Sequence, residues 1–199
     1  MKIAILYSSR TGFSKQYAEM LQQKVGGELF DLGKMRKLNQ VMGADVLVYI
    51  ASIMGGRMRE FKFIDKNIYD LERPRKIFVG VGLTPPEEQV YLGFKQTNCP
   101  FGFENKIKFF LLRGGMRYSE LRGVDKLLMK NILKNLSKKE ERSPVEEEMY
   151  QAIINGADYV NEENLEPIVQ EILHPTPFEE VKVEEPKIAE EEKGEDQDA

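Results

Sequence analysis

An alternation of short apolar runs with amphipathic segments is the feature that most limits how this chain can fold. The predicted strands are 2–7, 28–32, 44–52, 76–83 and 106–112, and the predicted helices are 12–25, 57–72 and 161–173. Near-continuous apolar runs are typical of parallel strands that are covered on both faces. Their alternation with amphipathic helices therefore predicts an α/β fold with a doubly wound sheet.

The turn between the first strand and the first helix, from Ser9 to Ser14, is rich in hydroxyl groups around a single glycine. The hydroxyls of Ser9, Thr11 and Ser14 can each donate to a phosphate oxygen, and Gly12 lets the backbone approach closely. The N-terminus of the following helix adds unpaired N–H groups and a dipole that favours an anion, and Arg10 can add a charge. The spacing of a P-loop is absent. The alternative is an ordinary helix cap without a ligand.

Two further turns follow the third and fourth strands, at the edge of the sheet where ligands bind in doubly wound folds. The residues of interest there are Ser52, Ile53, Met54, Gly55 and Gly56 in one turn, and Gly82, Leu83, Thr84 and Tyr91 in the other. Their apolar side chains can cover a planar ring, and the paired glycines permit a peptide to change orientation, because glycine accepts positive φ. A phosphate site beside two such loops describes a site for flavin mononucleotide (FMN).

Residues 1–112 resemble the flavodoxin domain family, since Ser9-Arg10-Thr11-Gly12-Phe13-Ser14 matches the phosphate loop of that family. The resemblance implies a flavodoxin-like, five-stranded parallel sheet in the order 2-1-3-4-5, with FMN at the switch point between strands one and three. It also implies that a peptide of the Met54-Gly55-Gly56 loop turns its carbonyl toward flavin N5 when N5 gains a hydrogen. This loop lacks the acidic residue that follows the glycine in many flavodoxins, and the chain has no tryptophan to stack on the ring.

A basic segment follows the fifth strand, at the point where a small flavodoxin would soon end with its last helix. Residues 106–142 hold eleven basic and four acidic residues, and we predict a basic helical insertion at about 113–142. Its apolar residues at helical spacing are Val124, Leu127, Leu128, Ile132, Leu133 and Leu136, and its repeating lysines are Lys126, Lys130 and Lys134. Three roles remain open: a helix docked on its own domain, a peripheral membrane contact, or a lid or docking surface for an acidic partner. Few aromatic residues are interleaved with the basic ones, which disfavours nucleic acid.

The insertion also carries a resemblance of its own, to the branch of the flavodoxin-domain family that includes menaquinone-dependent protoporphyrinogen oxidase. The matching stretches are Gly114 to Tyr118 and Asp125-Lys126-Leu127-Leu128-Met129. This resemblance implies an oxidoreductase that couples flavin to a quinone or porphyrinogen-like substrate. The alternative is a non-enzymatic electron carrier of the flavodoxin type that docks on partner proteins. Such carriers usually present an acidic surface around the flavin. The chain without residues 175–199 is slightly basic instead, which favours the enzyme.

Composition limits the remaining chemistry. Cys99 and His174 are the only cysteine and the only histidine, so we expect neither a disulfide within the chain nor a Cys/His metal site, and no catalytic residue can be assigned. We expect 1–174 to form the FMN-binding domain and 175–199, with ten acidic and three basic residues, to form a disordered tail. Without a secretory pattern or a membrane-spanning run, the expected location is the cytoplasm, at most peripheral to the inner face of the membrane.

Overall fold

A parallel sheet forms the centre of the fold in the computed structural model, which describes residues 1–71 and 73–178. The strands are β1 (Ile3–Ser8), β2 (Glu28–Asp31), β3 (Val46–Met54), β4 (Arg57–Met58), β5 (Arg75–Gly82), β6 (Ile107–Arg113), β7 (Gly115–Met116) and β8 (Ala157–Asp158). The central sheet has the order β2-β1-β3-β5-β6, and each neighbouring pair is parallel. Without the short β4, this is the predicted order 2-1-3-4-5, and the flavodoxin-like fold is confirmed.

Helices cover both faces of this sheet. The helices of the structure are α1 (Phe13–Val25), α2 (Phe61–Asn67), α3 (Glu88–Asn98), α4 (Gly123–Ser137), α5 (Pro144–Asn155) and α6 (Glu166–Leu173). The sheet is covered by α1, α2, α3 and α6, whereas α4 and α5 belong to the insertion. Successive residues of a strand point to opposite faces, so Leu47 and Tyr49 of β3 pack with α2 and α3. Val46 and Val48 pack with α1 and α6 on the other face. Because both faces are covered, β3 is apolar at each of these positions.

The segment after β3 differs from the prediction of a helix over 57–72. Gly55 and Gly56 have φ of 59° and 80°, and the chain reverses through them so that β4 pairs antiparallel with the end of β3. Positive φ at both central residues is the requirement of a two-residue type I′ hairpin. α2 therefore begins only at Phe61 and is followed by a 3-10 turn, Ile68–Asp70.

The turn predicted to hold Gly82, Leu83, Thr84 and Tyr91 is also shorter than expected, because α3 begins at Glu88. Tyr91 lies on this helix, and its hydroxyl donates to the Phe109 carbonyl at 3.3 Å. It packs against the core beneath α3 rather than belonging to the turn.

The insertion after β6 extends beyond the predicted end at residue 142. A second helix, α5, begins with a capping box in which Ser143 and Glu146 satisfy each other's backbone N–H groups. The chain returns through β8, which pairs antiparallel with β7. The small core of the insertion consists of Met116, Leu121, Met129, Leu136, Ala152 and Ile153.

The predicted apolar stripe of α4 is only partly buried. Val124 and Leu127 are 80% and 60% exposed, whereas Leu136 of the stripe and Met129, which was not part of it, form the buried face of this helix. At the end of the chain, Asn161 caps a 3-10 turn, Glu162–Leu165, that leads into α6. The predicted acidic tail lies outside the described residues from 179 onward. None of the described helices combines the length and the apolar character needed to cross a bilayer.

Candidate functional site

A cavity of about 340 Å³ lies at the C-terminal edge of the sheet, between the turns that follow β1, β3 and β5. The predicted residues that line it are Ser9, Arg10, Thr11, Phe13, Ser14, Ser52, Ile53, Met54, Gly82 and Leu83. Gly55, Gly56 and Thr84 line a neighbouring cavity instead. Gly12 lines neither, but it shapes the first turn. The fold thus brings three turns that are far apart in sequence to one place.

The first turn fits an anion. Gly12 has φ of 93° immediately before α1, and its N–H donates to the Ser9 hydroxyl at 3.1 Å. Ser14 in the first turn of α1 is fully buried, and its Oγ has no hydrogen-bond partner among the described residues. A buried hydroxyl without a partner is costly. Its place in the cavity wall beside a helix N-terminus suits a phosphate oxygen as the missing acceptor.

Arg10, in contrast, already has a partner. Its Nε lies 2.5 Å from Oδ2 of Asp125 in the first turn of α4. The arginine charge is therefore balanced by the insertion, and the pair joins the turn after β1 to α4.

The β3–β4 hairpin is held from below by Asn98 at the end of α3. The buried Asn98 amide accepts a hydrogen bond from Met58 N at 2.8 Å and donates to the carbonyls of Gly56 at 2.8 Å and Phe94 at 2.9 Å. Both the oxygen and the nitrogen of this amide are thus hydrogen-bonded, which fixes the turn and β4 in place. Asn98 was not predicted, since its role becomes visible only once α3 is known to pass under the hairpin.

The chain after the hairpin adds charged residues that were not predicted either. Arg57, Arg59 and Glu60 line the cavity, and Glu60 adopts a left-handed conformation with φ of 63°. The hydroxyl of Tyr49 donates to the Arg59 carbonyl. Burial raises the pKa of Tyr49 well above its usual value, so the phenol keeps the proton that this bond needs.

The insertion forms the remaining wall. Its contributions are Gly114, Gly115, Met116, Leu121, Asp125 and Met129. Gly114 and Gly115 let the chain pass very close to the Phe13 ring, because a Cβ on Gly115 would lie 2.6 Å from Cζ of Phe13. The resemblance in the sequence had pointed to the segments around Gly114 and Asp125, but not to Leu121.

A second cavity of about 470 Å³ adjoins the first on the side of α3. Met54, Leu83 and Met129 line both cavities, and Val90, Ile132 and Met149 line the second alone. The described residues around the second cavity include no charged side chain. The wall of the first cavity mixes charged and hydroxyl side chains with apolar ones, whereas the wall of the second is largely apolar. Met54 from the hairpin and Met129 from the insertion, both flexible side chains, lie between the two cavities.

The lone cysteine and histidine take no part in this arrangement. Cys99 follows α3 outside both cavity walls, and burial raises the pKa of its thiol, so the reactive thiolate is disfavoured. His174 ends α6, where its backbone N–H donates to the Gln170 carbonyl. Within the described ranges, no group of His, Cys, Asp and Glu side chains is placed to hold a metal ion.

Several solved structures are similar to this chain. A putative flavoprotein from Bacteroides eggerthii is 17% identical, with 69% of this chain and 99% of that chain covered and a TM-score of 0.42. An NAD(P)H:quinone oxidoreductase from Methanothermobacter marburgensis is 13% identical, with 76% and 96% covered and a TM-score of 0.43. The flavodoxin of Megasphaera elsdenii is 14% identical, with 77% and 98% covered and a TM-score of 0.37.

No curated protein matches the sequence. The family model described as flavodoxin domain matches residues 4–143. This match covers more than half of the chain, and it spans the sheet, the three turns and the first helix of the insertion. The chain therefore belongs to the flavodoxin domain family.

Proposed function

We propose that this protein binds FMN in the first cavity and is an oxidoreductase for a quinone or porphyrinogen-like substrate. The observation that carries the proposal is the insertion, which forms one wall of the cavity through Met116, Leu121 and Met129. The FMN-binding unit is residues 1–174 with the insertion included. In this proposal the protein works in the cytoplasm, at or near the inner face of the membrane.

FMN is supported by the chemistry of the turns. The Ser14 hydroxyl, the N-terminus of α1 and the Ser9 hydroxyl suit a phosphate monoester, while Met54 and Leu83 offer apolar contacts to a ring. FMN would supply the electron or hydride transfer. The chain's own residues would hold its phosphate, orient its ring and keep water from it.

The insertion favours an enzyme over an electron carrier. A carrier passes electrons to a protein that must approach the flavin edge, whereas here α4 and β7 form one wall of the cavity. A small substrate can still reach the cavity from the apolar side, through the second cavity between α3 and the insertion. The stretch 125–129 resembles the protoporphyrinogen oxidase branch of the family, and this resemblance supports the same substrate class.

The visible spectrum of the purified protein, with identification of the released cofactor, tests the FMN site. The substrate side is tested by Val90→Trp, which fills the second cavity from its half-buried wall. Leu92→Trp is the matched control, since Leu92 lies on the same helix but is 55% exposed. We expect Val90→Trp to keep FMN and to lower turnover with a quinone at least about tenfold, which corresponds to 1.4 kcal/mol. Equal turnover in both variants would argue against a substrate path through this cavity.

A further inference from the structure

Arg117 contacts the turn after β1 without lining the first cavity itself. Its Nη1 donates to the Thr11 carbonyl at 2.8 Å, and its Cζ lies 4.4 Å from the centre of the Phe13 ring. The residue follows β7, whose pairing with β8 fixes its position, and its Nη2 lies 3.5 Å from Oδ2 of Asp158. The insertion thus places a cation in contact with the turn.

The bond from Arg117 begins a short chain of hydrogen bonds that ends in the cavity. The Thr11 carbonyl and the Gly12 N–H belong to one peptide group, and this N–H donates to Ser9 Oγ at 3.1 Å. A cation on the carbonyl polarises the peptide and strengthens its N–H as a donor. Since Ser9 Oγ accepts this bond, its own proton remains free to donate, and Ser9 lines the cavity.

We propose that Arg117 is a positioning residue for a phosphate monoester in the first cavity, acting through the Thr11–Gly12 peptide and the Ser9 hydroxyl. The inference rests on the proposed binding of FMN. It adds that a residue of the insertion helps to position the FMN phosphate. The buried Ser14 hydroxyl, which has no hydrogen-bond partner among the described residues, independently marks the same place as an anion site. Both arginines have a carboxylate partner, but Arg10 lies 2.5 Å from Asp125 whereas Arg117 lies 3.5 Å from Asp158, so the charge of Arg117 is less closely balanced.

The arrangement also accounts for Gly12. A Cβ on this residue would lie 3.1 Å from Nη1 of Arg117, and the residue has φ of 93°. Any side chain at position 12 would therefore both strain the backbone and press on the guanidinium.

The test compares FMN with riboflavin, which carries the same ring without the phosphate. Both are titrated against wild type, Arg117→Gln, Arg117→Lys and the control Arg122→Gln, which removes an exposed arginine from the same insertion. We expect Arg117→Gln to weaken FMN binding about tenfold, as for a lost bond in a charge-assisted chain, with riboflavin unchanged. Arg117→Lys should recover part of the loss, and Arg122→Gln should bind both flavins like wild type.

A double mutant identifies the route of the effect. In a Ser9→Ala background, Arg117→Gln should reduce FMN affinity little further, because the hydroxyl through which Arg117 acts is absent. Equal losses for FMN and riboflavin, or additive effects with Ser9→Ala, would overturn the inference and leave Arg117 a packing residue of Phe13. If wild type binds no flavin, the proposed function fails. Inorganic phosphate then still decides the inference, because it should raise the melting temperature of wild type more than that of Arg117→Gln.

Discussion

At the scale of single residues, Ser14 offers a test in which stability and binding change in opposite directions. Its hydroxyl is fully buried without a partner among the described residues. Ser14→Ala removes that unsatisfied group, so we expect the apoprotein to keep or gain about 1 kcal/mol of unfolding free energy. The same change removes a donor to phosphate, and FMN affinity should fall about tenfold. Urea denaturation of the apoprotein and FMN titration measure the two effects.

Riboflavin is the control ligand, because its binding should not respond to Ser14→Ala. A destabilised apoprotein with unchanged FMN affinity would mean that the hydroxyl has a structural partner and no ligand. The hydroxyls from Ser9 to Ser14 could be predicted because they are neighbours in sequence and surround one glycine. Arg117 and Asn98 could not, since they approach the turns from distant segments, and no local pattern reports such a contact.

At the scale of elements, the hairpin of β3 and β4 has only one free peptide at its tip. Asn98 holds the Gly56 carbonyl and Met58 N, so the peptide between Gly55 and Gly56 is the one able to turn over. Turning it converts a type I′ turn to type II′, which takes Gly56 to negative φ and leaves Gly55 positive. If flavin reduction drives this change, Gly56→Ala should favour the reduced state and raise the reduction potential, because alanine disfavours φ of 80°.

Gly55→Ala tests the same change in the opposite direction, because the type II′ turn takes ψ of residue 55 to about −120° at positive φ, a region that essentially only glycine adopts. It should disfavour the reduced state and lower the reduction potential, and spectroelectrochemical titration distinguishes the two variants. A wild-type potential for Gly56→Ala would refute the turning peptide. The hairpin was not predicted, because a helical spacing of apolar residues follows directly after β4 and was extended back over it. The residues with this spacing are Phe61, Ile64, Ile68 and Leu71. The spacing of apolar residues indicates which side chains are buried, but it does not indicate that a hairpin precedes the helix.

At the scale of the whole molecule, charge is unevenly distributed. The chain has a net charge of −4, although residues 106–142 hold eleven basic and four acidic residues. The structure adds that Val124 and Leu127 are exposed on α4 among the lysines. The sequence predicted the basic helix and its apolar stripe but left open what the stripe contacts, because spacing alone cannot say which side of a helix packs against its own domain. An exposed apolar pair among lysines suits an anionic membrane surface better than plain solvent.

The last prediction separates the membrane-facing enzyme from the electron carrier. Changing Lys126, Lys130 and Lys134 to glutamine removes about 1 kcal/mol each near an anionic surface, so binding to anionic liposomes should fall on the order of a hundredfold. FMN should stay bound, and turnover with a membrane quinone should fall more than turnover with a small soluble acceptor. The control changes Lys37, Lys62 and Lys66 to glutamine, which removes the same charge elsewhere. The opposite result is that wild type does not bind anionic liposomes and that the mutations change turnover with both acceptors equally. In that case α4 is a packed structural helix, and the electron carrier becomes the better account.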